Sequence, residues 1–191
     1  MKKYLLIAAI LCVPIAAFGW GIGLIGGGGG GEAPPAGAYY YYDGTTSEPS
    51  WNAYTAVGPT YTDCSPITVG ATGTITIIGA KYSLTGDATA IKIALFNTSG
   101  VLVSDTGYTE SIAVGWVDHT LNSGLAVTAS DTVVVCAEVD SDAGVDARFE
   151  KITGGAGDSK YQAIVYASFP PANTTGMSEG SNDWAVRVYV D

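Results

Sequence analysis

GWVDHTLNSGLAVTASDTVVVCAEVD, residues 115–140, reads as two β-strands joined by a turn and nowhere as a helix. Val117, His119 and Leu121 alternate with Trp116, Asp118 and Thr120, the period of two that gives a strand one covered and one open face. Leu125 and Val127 take up the alternation again. TASD, residues 128–131, is turn-forming, and the run Thr132–Val139 that follows is apolar on both faces. A strand covered on both sides belongs in the middle of a sheet packed on another layer.

The same pattern extends outward. GTITIIGAKYSL, residues 73–84, alternates Ile75/Ile77 and then changes phase to Ile78/Ala80/Tyr82/Leu84. A slip within one run, beside Gly79, points to a β-bulge or a bend between sheets. AIKIALF, residues 90–96, puts Ile91, Ile93 and Leu95 on one face. NTSG, residues 97–100, then folds the chain back into VLVSD, a hairpin in which Gly100 is free to take a positive φ. KYQAIVYASF, residues 160–169, reads as a further strand after a Gly-rich loop, and DWAVRVYVD, residues 183–191, as one half-buried terminal strand. In the latter, Trp184, Val186, Val188 and Val190 face one way. No stretch beyond residue 19 carries a 3.6-residue apolar stripe. Roughly eight strands with turns about every 8–12 residues define an all-β chain, an antiparallel β-sandwich of jelly-roll-like type.

Ahead of the strands the chain changes character. Met1-Lys2-Lys3, an apolar run to Phe18, and Ala17-Phe18-Gly19 form a secretory signal with a small-x-small exit. The alternative is an uncleaved anchor, because the charge-free run from Tyr4 to Ile25 is 22 residues long. Leu11 stands before Cys12 where a lipoprotein site wants a small residue, so Cys12 is not read as a lipidation site. The expected organisation is a signal peptide over residues 1–19, a Gly/Pro-rich tether over 20–38 and a β-sandwich over 39–191. In YYYY, residues 39–42, two side chains fall on each face of a strand, which favours a segment contacted on both sides.

Export leaves two cysteines, Cys64 and Cys136, expected to form one disulfide in an oxidising compartment. Cleavage at Gly19 removes two of eight basic residues and no acid, leaving six against eighteen and a net charge of −12. Such a chain repels nucleic acid and anionic membrane surfaces. The expected location is secreted, extracellular or at the cell surface, by bacterial-type export, with no membrane contact once the signal is cleaved.

Residues 66–191 resemble small jelly-roll domains of secreted bacterial and phage-associated proteins. The resemblance rests on Trp116, Leu121, Leu125, Val127, Ala129 and Val133–Val135, and on Tyr161, Tyr166, Pro170 and the closing WAVRVYV. This chain has Ser130-Asp131 where those domains usually carry Gly. The resemblance implies a sandwich similar to carbohydrate-binding modules, with no particular ligand assigned.

Candidate site residues fall into two groups. Trp51, Trp116, Tyr161 and Tyr166 offer aromatic faces of the kind on which pyranose C–H groups pack; the alternative is that they serve packing. Asp140, Asp142, Asp146 and Glu150 place carboxylates along a Gly-bearing loop, the donors a structural calcium ion would need. The spacing is not that of an EF-hand: Gly144 falls one position early and Lys151 stands in place of the bidentate Glu. The other reading is a solvated acidic loop. His119, the single histidine, falls in phase with Val117 and Leu121, and no nucleophile or orienting acid is identified for it. The chain is therefore expected to be no enzyme. Two classes of function remain: an extracellular contact module for glycans or adhesion, and a structural subunit of a surface appendage or virion that joins like subunits through its N-terminal arm.

Overall fold

The computed structural model describes residues 37–42, 44–57, 61–86, 88–103, 110–140, 147–153, 159–164 and 166–191, with the side chains of 54–57, 84 and 110 excepted. The expected signal peptide, Cys12 and all but the last two residues of the expected tether lie outside them. The strands are β1 (Ala38–Tyr41), β2 (Ala53–Val57), β3 (Thr62–Thr68), β4 (Gly73–Leu84), β5 (Ala90–Phe96), β6 (Glu110–Ser111) and β7 (Gly115–Val127). They continue as β8 (Thr132–Val139), β9 (Ala147–Thr153), β10 (Ser159–Gln162), β11 (Ser178–Gly180), β12 (Asn182–Trp184) and β13 (Val186–Val190).

These strands form an all-β antiparallel sandwich. One sheet runs β1-β13-β4-β9-β12, with β7 on β4 and β2 on β9; the other runs β11-β10-β3-β8-β5-β6. The successive long strands β3, β4, β5, β7, β8 and β9 alternate between the two sheets, a wrapped connectivity. Ile75, Ile78, Ala80 and Tyr82 of β4 meet Ile91, Ile93 and Leu95 of β5 and the inward valines of β8 in one core. Tyr82, Phe149 and Trp184 stack through it, with centroids 5.0 and 5.1 Å apart.

β8 lies between β3 and β5 and is buried on both faces, as its composition requires. Its outward Val134 and Cys136 form a second apolar cluster with Cys64, Phe96, Phe169 and Met177. Cys64 and Cys136 are directly opposed in the β3–β8 register and joined by a disulfide. Met177 covers it, its Sδ 3.8 Å from Cys64 Sγ.

The tyrosine tract is the first described strand. β1 pairs with the C-terminal β13 of its own chain, and the pairing takes in Ala38 from the expected tether; the Gly37 amide also donates to the Val190 carbonyl. Tyr40 points into the core, fully buried, while Tyr39 packs on Tyr189 and Tyr41 on Trp116 on the outer face.

The phase slip in β4 is the expected irregularity, a register shift between Ile75 and Ile77, ahead of Gly79, with NSG, residues 122–124 of β7, left out of the pairing opposite it. Two local readings change. KYQAIVYASF is not one strand. β10 ends at Gln162 and the chain passes through a 3-10 turn at Tyr166–Ser168, where the Lys92 ammonium donates to the carbonyls of Tyr166 and Phe169 (2.8 and 3.5 Å). Phe169 folds back over the outer face of β8 instead of extending a ladder. DWAVRVYVD divides at Ala185, where β4 and β9 converge: the Ala185 amide donates to Glu150 and its carbonyl accepts from Lys81 (both 2.9 Å). NTSG forms the expected turn, with the Gly100 amide on the Asn97 carbonyl at 2.8 Å and φ of +71° at Gly100.

Candidate functional site

The aromatic side chains separate into two regions. On the outer face of the first sheet, Trp51 lies in the segment before β2 and Trp116 on β7, with ring centroids 6.4 Å apart. Tyr42 flanks Trp51 at 5.9 Å and Tyr41 flanks Trp116 at 5.8 Å. Both indole N–H groups donate to one oxygen, Glu48 Oε1, at 3.1 and 3.2 Å, and the Lys81 ammonium donates to it at 2.8 Å. Burial pushes the Glu48 carboxyl up, but these three donors outweigh it and hold it below its ordinary value. Arg187 of β13 holds Asp118 of β7 bidentately (2.6 and 3.0 Å) and lies over the rings of Tyr39 and Trp116 at 4.0 and 4.2 Å. The polar edges of both indoles and one side of Trp116 are thus engaged within the chain. The arrangement is a clasp that fastens the segment between β1 and β2 onto the sheet.

Tyr161 stands elsewhere, on β10 near the edge of the second sheet, and is 40% exposed. It lines a groove of about 590 Å³ with Ser159, Glu179, Gly180, Asn182 and Trp184. The groove exists because β10 pairs with the three-residue edge strand β11, while the chain then crosses to the other sheet as β12. Gly180 sits opposite Ser159, and a Cβ built on it would come 2.8 Å from Ser159 Oγ and 3.5 Å from Tyr161 Cδ1. The ring therefore rests beside bare backbone at Gly180 while the side chain stays exposed. Asn182 supplies donors and acceptors and the exposed Ser181 a hydroxyl, the functional groups that recognise hydroxylated molecules; Glu179 borders the groove from β11, in register with Lys160 and so on the other side of the pleat from Tyr161. Asp63, directly opposite Tyr161 across the β3–β10 pair, is buried. Burial pushes its carboxyl up to about 7, with Lys151 opposing.

The other predicted residues are placed as follows. Tyr166 lies in the 3-10 turn, half-buried, with the Lys92 ammonium 4.4 Å from its ring centroid; it shares no strand with Tyr161. Asp140 accepts from the Thr89 hydroxyl and from the Thr89 and Ala90 amides at 2.7–2.8 Å. Burial opposes these bonds, yet they hold its carboxyl below its usual value. Glu150 pairs with Lys81 at 3.1 Å. Asp142 and Asp146 lie outside the described residues. Among the described residues no three of His, Cys, Asp and Glu converge as a metal ion requires. His119 is buried, in phase with Val117 and Leu121.

No family model and no curated protein matches the chain. Sequence reasoning reached Tyr161 and missed Glu179, Gly180 and Asn182. Their run, SEGSN, carries only turn character, and nothing in it announces that its first three residues pair with β10. Glu48 did leave a signal: it stands three residues before Trp51, whose N–H it accepts.

Proposed function

We propose that the chain is a non-catalytic extracellular module that works by surface contact and holds a glycan in the Tyr161 groove. The observation that carries the reading is the exposed Tyr161 ring, seated on Gly180 in a groove bordered by Asn182, Ser181 and the β11 edge at Glu179. One flat apolar face bordered by a few polar groups matches a pyranose, whose ring presents C–H groups on one side and hydroxyls at its rim. Trp51 and Trp116 are assigned to the clasp instead, because their N–H groups and the Arg187 contact are already used internally. The sandwich, the disulfide and the acidic charge suit an exported module.

A glycan array probed with the full chain tests the reading. Tyr161→Ala is expected to cost about 1–3 kcal/mol of binding free energy with the fold unchanged by circular dichroism. Trp116→Ala is expected to lower stability and to spare binding. Silence across the array rejects the glycan reading, and hydrolysis that survives repurification rejects the non-catalytic one.

One observation favours the structural-subunit alternative. β1 is a four-residue strand at a sheet edge, the kind of element that can be exchanged for a neighbour's copy. Polymers that vanish on deletion of residues 20–43, in a protein that binds no glycan, would establish that reading.

A further inference from the structure

The groove at Tyr161 has a neighbour. A second groove of about 420 Å³ lies on the outward side of the same sheet, bordered by Thr98, Ser99, Thr132, Thr174, Lys160 and Glu179. Glu179 borders both grooves. Lys160 and Tyr161 are consecutive on β10 and so project to opposite sides of it, one into each groove. Lys160 is the direct cross-strand partner of Glu179. The two grooves are therefore separated by the narrow ribbon of β10 and β11, whose outer strand is three residues long and ends on Gly180.

We propose that the two grooves are one track, and that the ligand is an extended oligosaccharide that runs over the β10–β11 edge rather than a single terminal sugar. This rests on the glycan reading above. The track begins on the Tyr161 ring and passes the Glu179 carboxylate at the low point left by Gly180. It ends among the hydroxyls of the Asn97–Gly100 turn and Thr174. Crossing a two-stranded ribbon spans about 10 Å, since neighbouring strands lie about 4.8 Å apart, so one sugar ring cannot reach both ends. The far groove repeats the polar chemistry of the near one, with hydroxyls, one amide at Asn97 and one charged pair, and adds no aromatic ring. Tyr161 is then the anchor, and the far groove reads length. A chain with a net charge of −10 disfavours a polyanion along this path, which makes a neutral polymer the fitting occupant.

Calorimetric titration of the full chain with neutral β-1,4-linked cello- and chito-oligosaccharides, from disaccharide to hexasaccharide, tests the proposal. Affinity is expected to rise at least tenfold along the series that binds. Tyr161→Ala should weaken every length. The double variant Thr98→Val, Ser99→Ala should weaken the hexasaccharide at least fivefold and narrow its advantage over the disaccharide. Equal affinity at all lengths, or a hairpin variant with no effect on the hexasaccharide, overturns the track while leaving the glycan reading intact. Failure of both series to bind at every length removes the neutral-glycan reading and the track with it.

Discussion

Tyr40 carries the tyrosine tract into the core. Its ring is fully buried, and its hydroxyl has no hydrogen-bond partner among the described residues. A buried polar group left unpaired costs its desolvation, so Tyr40→Phe should stabilise the fold by about 1 kcal/mol. Tyr40→Ala should cost about 3–5 kcal/mol, the range for emptying an aromatic site in a core. Denaturant unfolding measures both. Ser130 is the second informative position: it holds φ of +78°, a conformation costly to a residue with a Cβ. The resemblance places Gly here, and the backbone explains why Gly suits the site. Ser130→Gly is expected to raise stability by up to about 1 kcal/mol in the same assay, the relief of strain exceeding the entropy glycine adds to the unfolded chain.

At the scale of elements, alternation carried the reading where one sheet face is buried, and failed where pairing partners decide. The faces of β7 around Val117, His119 and Leu121, and the double burial of β8, follow from side-chain order alone. The end of β10 and the break at Ala185 do not. Lys92 capturing the Tyr166 carbonyl, and β4 and β9 converging on Ala185, are long-range events with no local trace in the sequence. The groove at Tyr161 was half legible for the same reason, since the ring is visible in sequence and the β10–β11 register that supplies Glu179 and Asn182 is not. The Cys64–Cys136 bridge ties two strands 72 residues apart in sequence, and its removal by a Cys64→Ala, Cys136→Ala pair should cost about 4 kcal/mol by chain entropy. A lower midpoint in urea, with a steeper slope as the unfolded chain loses its cross-link, checks it; no shift would place that stability elsewhere.

Charge sets the behaviour of the whole molecule. Burial holds the carboxyls of Asp63 and Glu138 up to about 7, well above their unfolded values of 3.8 and 4.5. Between those limits the folded chain binds more protons than the unfolded one, so their contribution is complete below the unfolded values and lost as pH rises through about 7. Glu48 and Asp140 act in the opposite sense, their lowered values giving stability that disappears as the medium becomes strongly acid. Stability is therefore expected to peak at about pH 4 and to fall by a few kcal/mol as pH rises to about 7. Asp63→Asn and Glu138→Gln should flatten the neutral limb, and stability that rises steadily from pH 5 to 8 would refute these assignments.

The central claim is that one exposed tyrosine, and not the paired tryptophans, meets the ligand. Nuclear magnetic resonance of the isotopically labelled full chain, titrated with a bound oligosaccharide from the array, tests it most directly. Shifts at Tyr161, Glu179, Gly180 and Asn182, extending to Thr98, Ser99 and Thr174 for the longer oligosaccharides, with the Trp51 and Trp116 indole N–H signals unmoved, are the expected result. Movement of those two indole signals with Tyr161 left unchanged would contradict it.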